Sequence, residues 1–194
     1  MYTNNPYAHW QQGNKQTFPS STPSVYGALP FSGPASKPAI ITFVFDLNPN
    51  LFNCVVTGPD NQLIYTITTD NPRPGFTLMA NARGQPIVVV EWQAHPIVEV
   101  RDAIQKQHTS RFLPLNSDRN ARHMEVRGKR YTWAPGTNAL CLFDPAKNPP
   151  ELLAQVTNGP RRVVMEVSTY AIQAGLIDAC IVSAFLLLCG RNID

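Results

Sequence analysis

The sequence predicts a mainly β protein: a closed antiparallel barrel of about twelve strands that encloses a hydrophobic C-terminal α-helix and follows a disordered tail. Three observations predict this fold. Short β-branched and aromatic runs begin at residue 40 and alternate with turn residues roughly every ten positions. No helical segment long enough for a βαβ unit separates them, which favours antiparallel pairing. Residues 169–189 are then apolar on nearly every face, and such a helix belongs in a protein core or a membrane.

The overall composition limits the size and the partners of the protein. The 194 residues allow one domain plus a tail. Hydrophobic residues make up 43% of the chain, enough for a core, while 18 prolines and only 15% charged residues exclude a coiled coil. The net charge of +3, from 16 basic and 13 acidic residues, is too small to indicate a nucleic-acid partner.

The first 39 residues form the predicted tail. They contain six prolines, two lysines and no acidic residue, so they cannot bury enough apolar area to offset their chain entropy. We therefore divide the chain into a disordered Pro-, Ser- and Gln-rich leader, residues 1–39, and a barrel domain, residues 40–194. Six aromatic residues of the leader offer contact points to a protein partner: Tyr2, Tyr7, Trp10, Phe18, Tyr26 and Phe31.

The strands of the barrel domain are predicted from β-rich runs between turn clusters. Six runs lie at residues 41–46, 51–57, 62–68, 76–80, 86–93 and 96–101, with turns at 58–61, 81–84 and 94–96. Five more lie at residues 123–127, 130–134, 139–144, 151–157 and 161–167. Gly128 can supply the positive φ of a tight hairpin between the first two of these five.

The last predicted element is a helix over residues 169–189. Ser168 can cap its N-terminus, and Gly190 can end it as a residue of positive φ. A helix of this length spans about 32 Å, so it could fill the barrel or anchor the chain in a membrane. Asp178 lies near its middle, where a charge in a bilayer costs about 2.5 to 3.5 kcal/mol. We therefore expect the helix to fill the barrel, with a tail anchor as the alternative.

No motif for catalysis, cofactors or metals is visible in the sequence. Phosphate-binding glycine loops, nucleophile elbows and paired zinc ligands are absent. The four cysteines, Cys54, Cys141, Cys180 and Cys189, lie far apart and are expected to be reduced thiols of an intracellular protein. We expect a protein that is not an enzyme and has no cofactor and no metal site.

Basic residues are concentrated in one stretch of the chain. Eight of the sixteen lie between Arg101 and Arg130. If neighbouring strands bring five of them to one rim of the barrel, they would form a positive patch that attracts anionic headgroups, at about 1 kcal/mol for each basic residue. These five are the candidate lipid-binding residues: Arg119, Arg122, Arg127, Lys129 and Arg130. The alternative is a solvated hairpin whose charges keep a β protein soluble.

The order of elements resembles a known family. The strand end at Glu91 and Trp92, the strand from Tyr131 to Trp133 and the closing segment LIDACIVSAFLLL from Leu176 to Leu188 are similar to a basidiomycete domain-of-unknown-function family. That family belongs to the tubby-like barrel superfamily, beside the LURP-one-related proteins and the phospholipid scramblases. The resemblance implies a barrel of about twelve strands around a hydrophobic C-terminal helix, from residue 40 to about residue 190. Tubby domains bind phosphoinositides and scramblases act at membranes, which implies a membrane-related role by fold analogy alone.

Together these observations predict a fungal, non-enzymatic binding module. No secretory signal is visible, so we expect a cytoplasmic protein that associates peripherally with anionic lipids through the basic stretch. A protein-interaction or structural module that uses the leader is the second interpretation. A tail-anchored membrane protein is the third.

Overall fold

Twelve antiparallel strands form one sheet that curls into a nearly closed barrel in the computed structural model, which describes residues 39–194. The predicted leader, apart from Ala39, lies outside these residues. The predicted mainly β fold is confirmed. The strands are β1 Ile40–Asn50, β2 Asn53–Thr57, β3 Leu63–Thr69, β4 Phe76–Asn81, β5 Pro86–Glu91, β6 Ile97–Val100, β7 Ile104–His108, β8 Arg122–Val126, β9 Lys129–Pro135, β10 Leu140–Asp144, β11 Glu151–Asn158 and β12 Arg162–Ser168. The α-helices are α1 Thr109–Phe112, α2 Thr169–Gln173 and α3 Ile177–Leu188.

The sheet consists of two meanders. They join where β1, the first strand of the chain, pairs with β12, the last strand. Strands β1 to β7 pair in order, strands β8 to β12 pair in order, and β1 pairs with β12 from Ile40 opposite Ser168 to Asp46 opposite Arg162. Within the described part of the chain, β7 and β8 are not hydrogen-bonded to each other. A cleft of about 250 Å³ lies between them, lined by residues of both strands and by Arg111 of α1. The barrel is therefore nearly closed rather than fully closed.

Alternation of side chains along the strands builds the interior. Phe43 and Phe45 of β1, for example, are 3% and 0% exposed, whereas Thr42 is exposed and Val44 is only partly buried. The same period of two places valines of β5 and β6 and methionines of β4, β8 and β12 inside. All twelve strands contribute to one continuous apolar core.

One strand was not among the predicted runs. The segment IQKQH of β7 is polar, and only Ile104 among its five residues is buried. Because β7 is an edge strand beside the cleft, its outward side chains face water and need no apolar alternation. The number of strands, twelve, agrees with the prediction nonetheless.

The predicted continuous helix over residues 169–189 is wrong in one respect, because the chain forms two helices there. Ser168 caps α2 as predicted, its hydroxyl accepting a hydrogen bond from the backbone N–H of Ala171 at 3.3 Å. The helix then stops at Gly175, whose φ of +69° is a left-handed conformation that glycine adopts without strain. This break lets the chain leave the rim of the barrel and continue into its interior as α3. Gly190, with φ of +73°, ends α3 as predicted.

Helix α3 fills the barrel. Its residues from Ala179 to Leu186 are all buried, and they contact inward side chains of the surrounding strands. Ser183 approaches Met124 of β8, with 3.2 Å between Oγ and Sδ. The predicted core helix is therefore confirmed. Within residues 39–194, no helix has both the length and the apolar character needed to cross a membrane.

The two ends of the barrel differ in what they carry. We call one the Arg127 end: it holds the β8–β9 turn, the β10–β11 turn, α2 and the start of α3. We call the other the Asp194 end: it holds the β1–β2, β5–β6 and β11–β12 turns, α1 and the residues that follow α3. The antiparallel order of the strands fixes which turn lies at which end.

Candidate functional site

Three of the five predicted basic residues lie on the β8–β9 hairpin. Its two-residue turn has positive φ at both positions, 51° at Arg127 and 76° at Gly128, which is the conformation that matches the twist of paired strands. The prediction that Gly128 supplies a positive φ is confirmed. The turn places Arg127, Lys129 and Arg130 at the Arg127 end, and all three side chains are exposed. We call these three residues the basic hairpin.

The basic hairpin is free of ion pairs within residues 39–194. Glu125 is the register partner of Arg130 across the hairpin, but the two side chains do not form an ion pair. The guanidinium of Arg127 lies over Gly175, where a Cβ atom would stand 2.8 Å from Nη1. Arg130 also acts on its neighbour His123, whose pKa is lowered mainly by burial and further by this positive charge. The hairpin is therefore a small, strongly positive surface.

Arg122 lies at the opposite end and already has a partner. Its guanidinium donates two hydrogen bonds of 2.8 Å to the carboxylate of Asp194 and one of 2.8 Å to the backbone oxygen of Leu113. This hydrogen-bonded pair lowers the pKa of Asp194, and the nearby charge of Arg119 adds to the effect. Arg119 itself is exposed in the loop before β8.

The five predicted residues are therefore not brought to one rim. Strand β8 separates Arg122 from Arg127 by about 17 Å at roughly 3.4 Å per residue. Arg119 and Arg122 surround Asp194 at one end, and the basic hairpin occupies the other. The density of basic residues along the sequence could not show this division, because it takes no account of strand direction.

Exposed apolar side chains accompany the basic hairpin at the Arg127 end, and sequence reasoning did not single them out. Ile40 at the start of β1 is 61% exposed, Tyr170 of α2 is 50% exposed, and Leu152 of β11 is 41% exposed. Ile40 and Leu152 border an apolar groove of about 310 Å³ on the outer face of β11, β12 and β1. The sequence carries no signal for this exposure beyond the place of each residue at or next to the first residue of its strand or helix.

The Asp194 end is sealed by the residues that follow α3. The guanidinium of Arg191 stacks on two aromatic rings, 4.3 Å from the centroid of Phe52 and 4.6 Å from that of Trp92. The hydroxyl of Thr109 donates a hydrogen bond to the backbone oxygen of Ile193, whose side chain is buried. At this end Arg191 and Arg122 are thus engaged in stacking and pairing, whereas Arg161 and Arg162 of the β11–β12 turn are exposed.

Two kinds of titratable group lie inside the barrel. Tyr65 of β3 donates a hydrogen bond to Asp178 at the start of α3, and its pKa is raised above the ordinary value by burial first and then by that carboxylate. Burial raises the pKa of Cys54 and of Cys180 to about 12, so both remain neutral thiols near neutral pH. Cys141 is buried as well, and Cys189 is half-buried.

Within the described residues, no group of three or more His, Cys, Asp or Glu side chains could hold a metal ion.

Residues 49–191 match a family described as a family of unknown function, DUF6593. The chain belongs to DUF6593. The DUF6593 match includes β2 to β12 in full, α3, and the basic hairpin. Among solved structures, a protein from Arabidopsis thaliana is similar over 74% of this chain and 90% of its own, with 13% identity and a TM-score of 0.40. No curated protein matches the chain.

The family match supports the coarser part of the sequence resemblance, a family of unknown function. Membership of the tubby-like superfamily and a fungal source stay predictions. The leader aromatics, expected to serve a protein partner, lie outside the described residues.

Proposed function

We propose that this DUF6593 protein is a non-enzymatic binding module that associates peripherally with anionic membrane surfaces through its Arg127 end. The observation that carries the proposal is the coincidence, at one end of the barrel, of cationic side chains that form no ion pair within residues 39–194 and of exposed apolar ones. The sequence resemblance to the tubby-like superfamily supports it, since members of that superfamily bind phosphoinositides or act at membranes.

The electrostatic part comes from the basic hairpin. A basic residue near an anionic leaflet contributes about 1 kcal/mol, so three contribute roughly 3 kcal/mol. That attraction is weak, reversible and sensitive to salt. It suits a cytoplasmic protein that visits a membrane without being anchored there.

The apolar part comes from Tyr170 and its neighbours. A tyrosine with an apolar ring and a polar tip is favoured at the level of lipid headgroups. Tyr170 lies on α2, which extends from β12 towards the β8–β9 turn at the same end of the barrel. A flat membrane could therefore contact the ring and the basic hairpin together.

The test is sedimentation of the full chain with phosphatidylcholine vesicles that contain phosphatidylserine or a phosphoinositide. Replacing two hairpin cations in a K129Q/R130Q variant removes about 2 kcal/mol, which weakens binding roughly thirtyfold. The matched control is R161Q/R162Q, which removes the same charge from exposed positions at the Asp194 end and should bind nearly like wild type. If both double variants bind alike, or if wild type ignores anionic vesicles at low salt, the proposal fails.

A further inference from the structure

We propose that the apolar groove on β11, β12 and β1 is the docking site of this chain's own leader, with residues 25–38 as the occupant. The lining of the groove includes Ile40, Glu151, Leu152 and Glu166. Its volume of about 310 Å³ lies at the small end of the range for clefts that bind ligands. This inference does not depend on membrane binding.

The groove requires an apolar occupant. Ile40 and Leu152 leave 61% and 41% of their surfaces exposed on its border, and such an apolar surface gains stability when another apolar surface covers it. Residues 25–31 read VYGALPF and contain no charged side chain. They form the most apolar run of the leader. Leu29 and Phe31 are the large aliphatic and the aromatic residue of this run that lie nearest in sequence to the first strand.

The charges of the groove and of the leader are complementary. Glu151 and Glu166 bring two carboxylates to the groove, and neither forms an ion pair within residues 39–194. The leader contains no acidic residue, and its Lys37 lies three positions before Ile40. An acidic apolar groove therefore meets a basic apolar segment of the same chain.

The connection between them is short and able to turn back. The leader joins the barrel at Ile40, which itself lines the groove. An extended chain from Phe31 to Ile40 reaches about 30 Å at roughly 3.3 Å per residue, which leaves slack for the chain to turn back towards Ile40. Gly33 and Pro34 form a dipeptide typical of turns, so the chain can reverse between the anchor and β1. Because the segment is tethered, docking involves no loss of translational freedom between separate molecules.

The test is photo-crosslinking of the full chain with benzoylphenylalanine at position 152. We expect crosslinks to residues 25–38 of the same molecule, with a yield that does not change with protein concentration. A probe at Val55, 36% exposed on β2 and remote from the groove, is the matched control and should give at least tenfold less of this product. Circular dichroism of each probe variant confirms that it is folded.

A leader variant, L29A/F31A, provides the second arm. It lies outside the barrel domain, and we expect it to lower the crosslink yield at position 152 at least fivefold without changing the circular dichroism spectrum of the barrel. Equal yields at positions 152 and 55, or no effect of L29A/F31A, would overturn the proposal. Crosslinks to another molecule, with a yield that rises with concentration, would assign the groove to a second copy of the chain instead.

Discussion

Replacing Phe185 by alanine tests whether the barrel is packed around α3. The ring of Phe185 is completely buried near the Asp194 end of the helix. It contacts the ring of Phe52 edge-on, with 5.7 Å between centroids, and that of Trp92 at 6.3 Å. The truncation therefore opens a cavity inside the barrel and removes two aromatic contacts at once.

The expected loss of stability follows from those contacts. A buried Phe→Ala substitution costs about 3 to 5 kcal/mol through lost transfer free energy and the cavity that remains. Each aromatic pair adds about 0.5 to 1.5 kcal/mol beyond the buried area, so the loss should lie near the upper limit, about 5 kcal/mol. For a domain of this size this corresponds to a melting temperature lower by roughly 10 to 20 °C.

Urea unfolding, followed by tryptophan fluorescence and circular dichroism, measures this loss. The control is Leu115→Ala, because Leu115 is 37% exposed and its truncation should change stability by no more than about 0.5 kcal/mol. An apolar cavity stays dry and accepts benzene, so benzene should restore part of the stability of the Phe185 variant. A loss below about 1.5 kcal/mol would mean that the strands do not pack tightly on the helix, and would refute the reasoning.

Three further predictions concern single side chains. Tyr65→Phe should cost about 1 to 3 kcal/mol at neutral pH. Because the pKa of Tyr65 is raised in the folded state, wild type should lose stability above pH about 10, where the unfolded tyrosine ionises, and the variant should lose less in urea titrations. Arg122→Gln should destabilise the barrel at neutral pH, and the difference from wild type should shrink in thermal melts below pH about 4, because the lowered pKa of Asp194 stabilises the fold only while that carboxylate is ionised. Gly175→Ala should cost about 1 to 2 kcal/mol from its positive φ plus a contribution from crowding, whereas Gly84→Ala, at φ of +73° in open space, should show the backbone cost alone in the same melts.

The strands were predictable because their pattern is local. Runs such as Val88 to Val90 in β5 and Val163 to Val167 in β12 are rich in β-branched residues, and turn residues separate them. The polar edge strand β7 escaped because its sequence, IQKQH, contains only one β-branched residue. The break at Gly175 escaped because a glycine in an apolar run is compatible with a helix. The turn is required by the three-dimensional structure, because the chain passes there from the Arg127 end of the barrel into its interior.

The candidate surfaces were harder to predict because they join distant parts of the chain. Ile40 and Leu152 border one groove although they belong to the first and eleventh strands. Arg122 and Arg127, in contrast, are close in sequence and lie at opposite ends of one strand. The nature of the residues was visible from the sequence, but their grouping depends on strand direction and on how the two meanders meet.

The pairing of β1 with β12 fixes the order in which the molecule can assemble during synthesis. Each meander can form hairpins as soon as its own strands exist, since those contacts are local. The seam between the meanders waits for β12, because Ile40 pairs with Ser168, and the interior stays unfilled until α3 has followed. Until then β1 is an exposed edge and the inward faces of both meanders are open to water. A nascent chain of this protein therefore exposes an unpaired strand edge and apolar surface until β12 and α3 have been made.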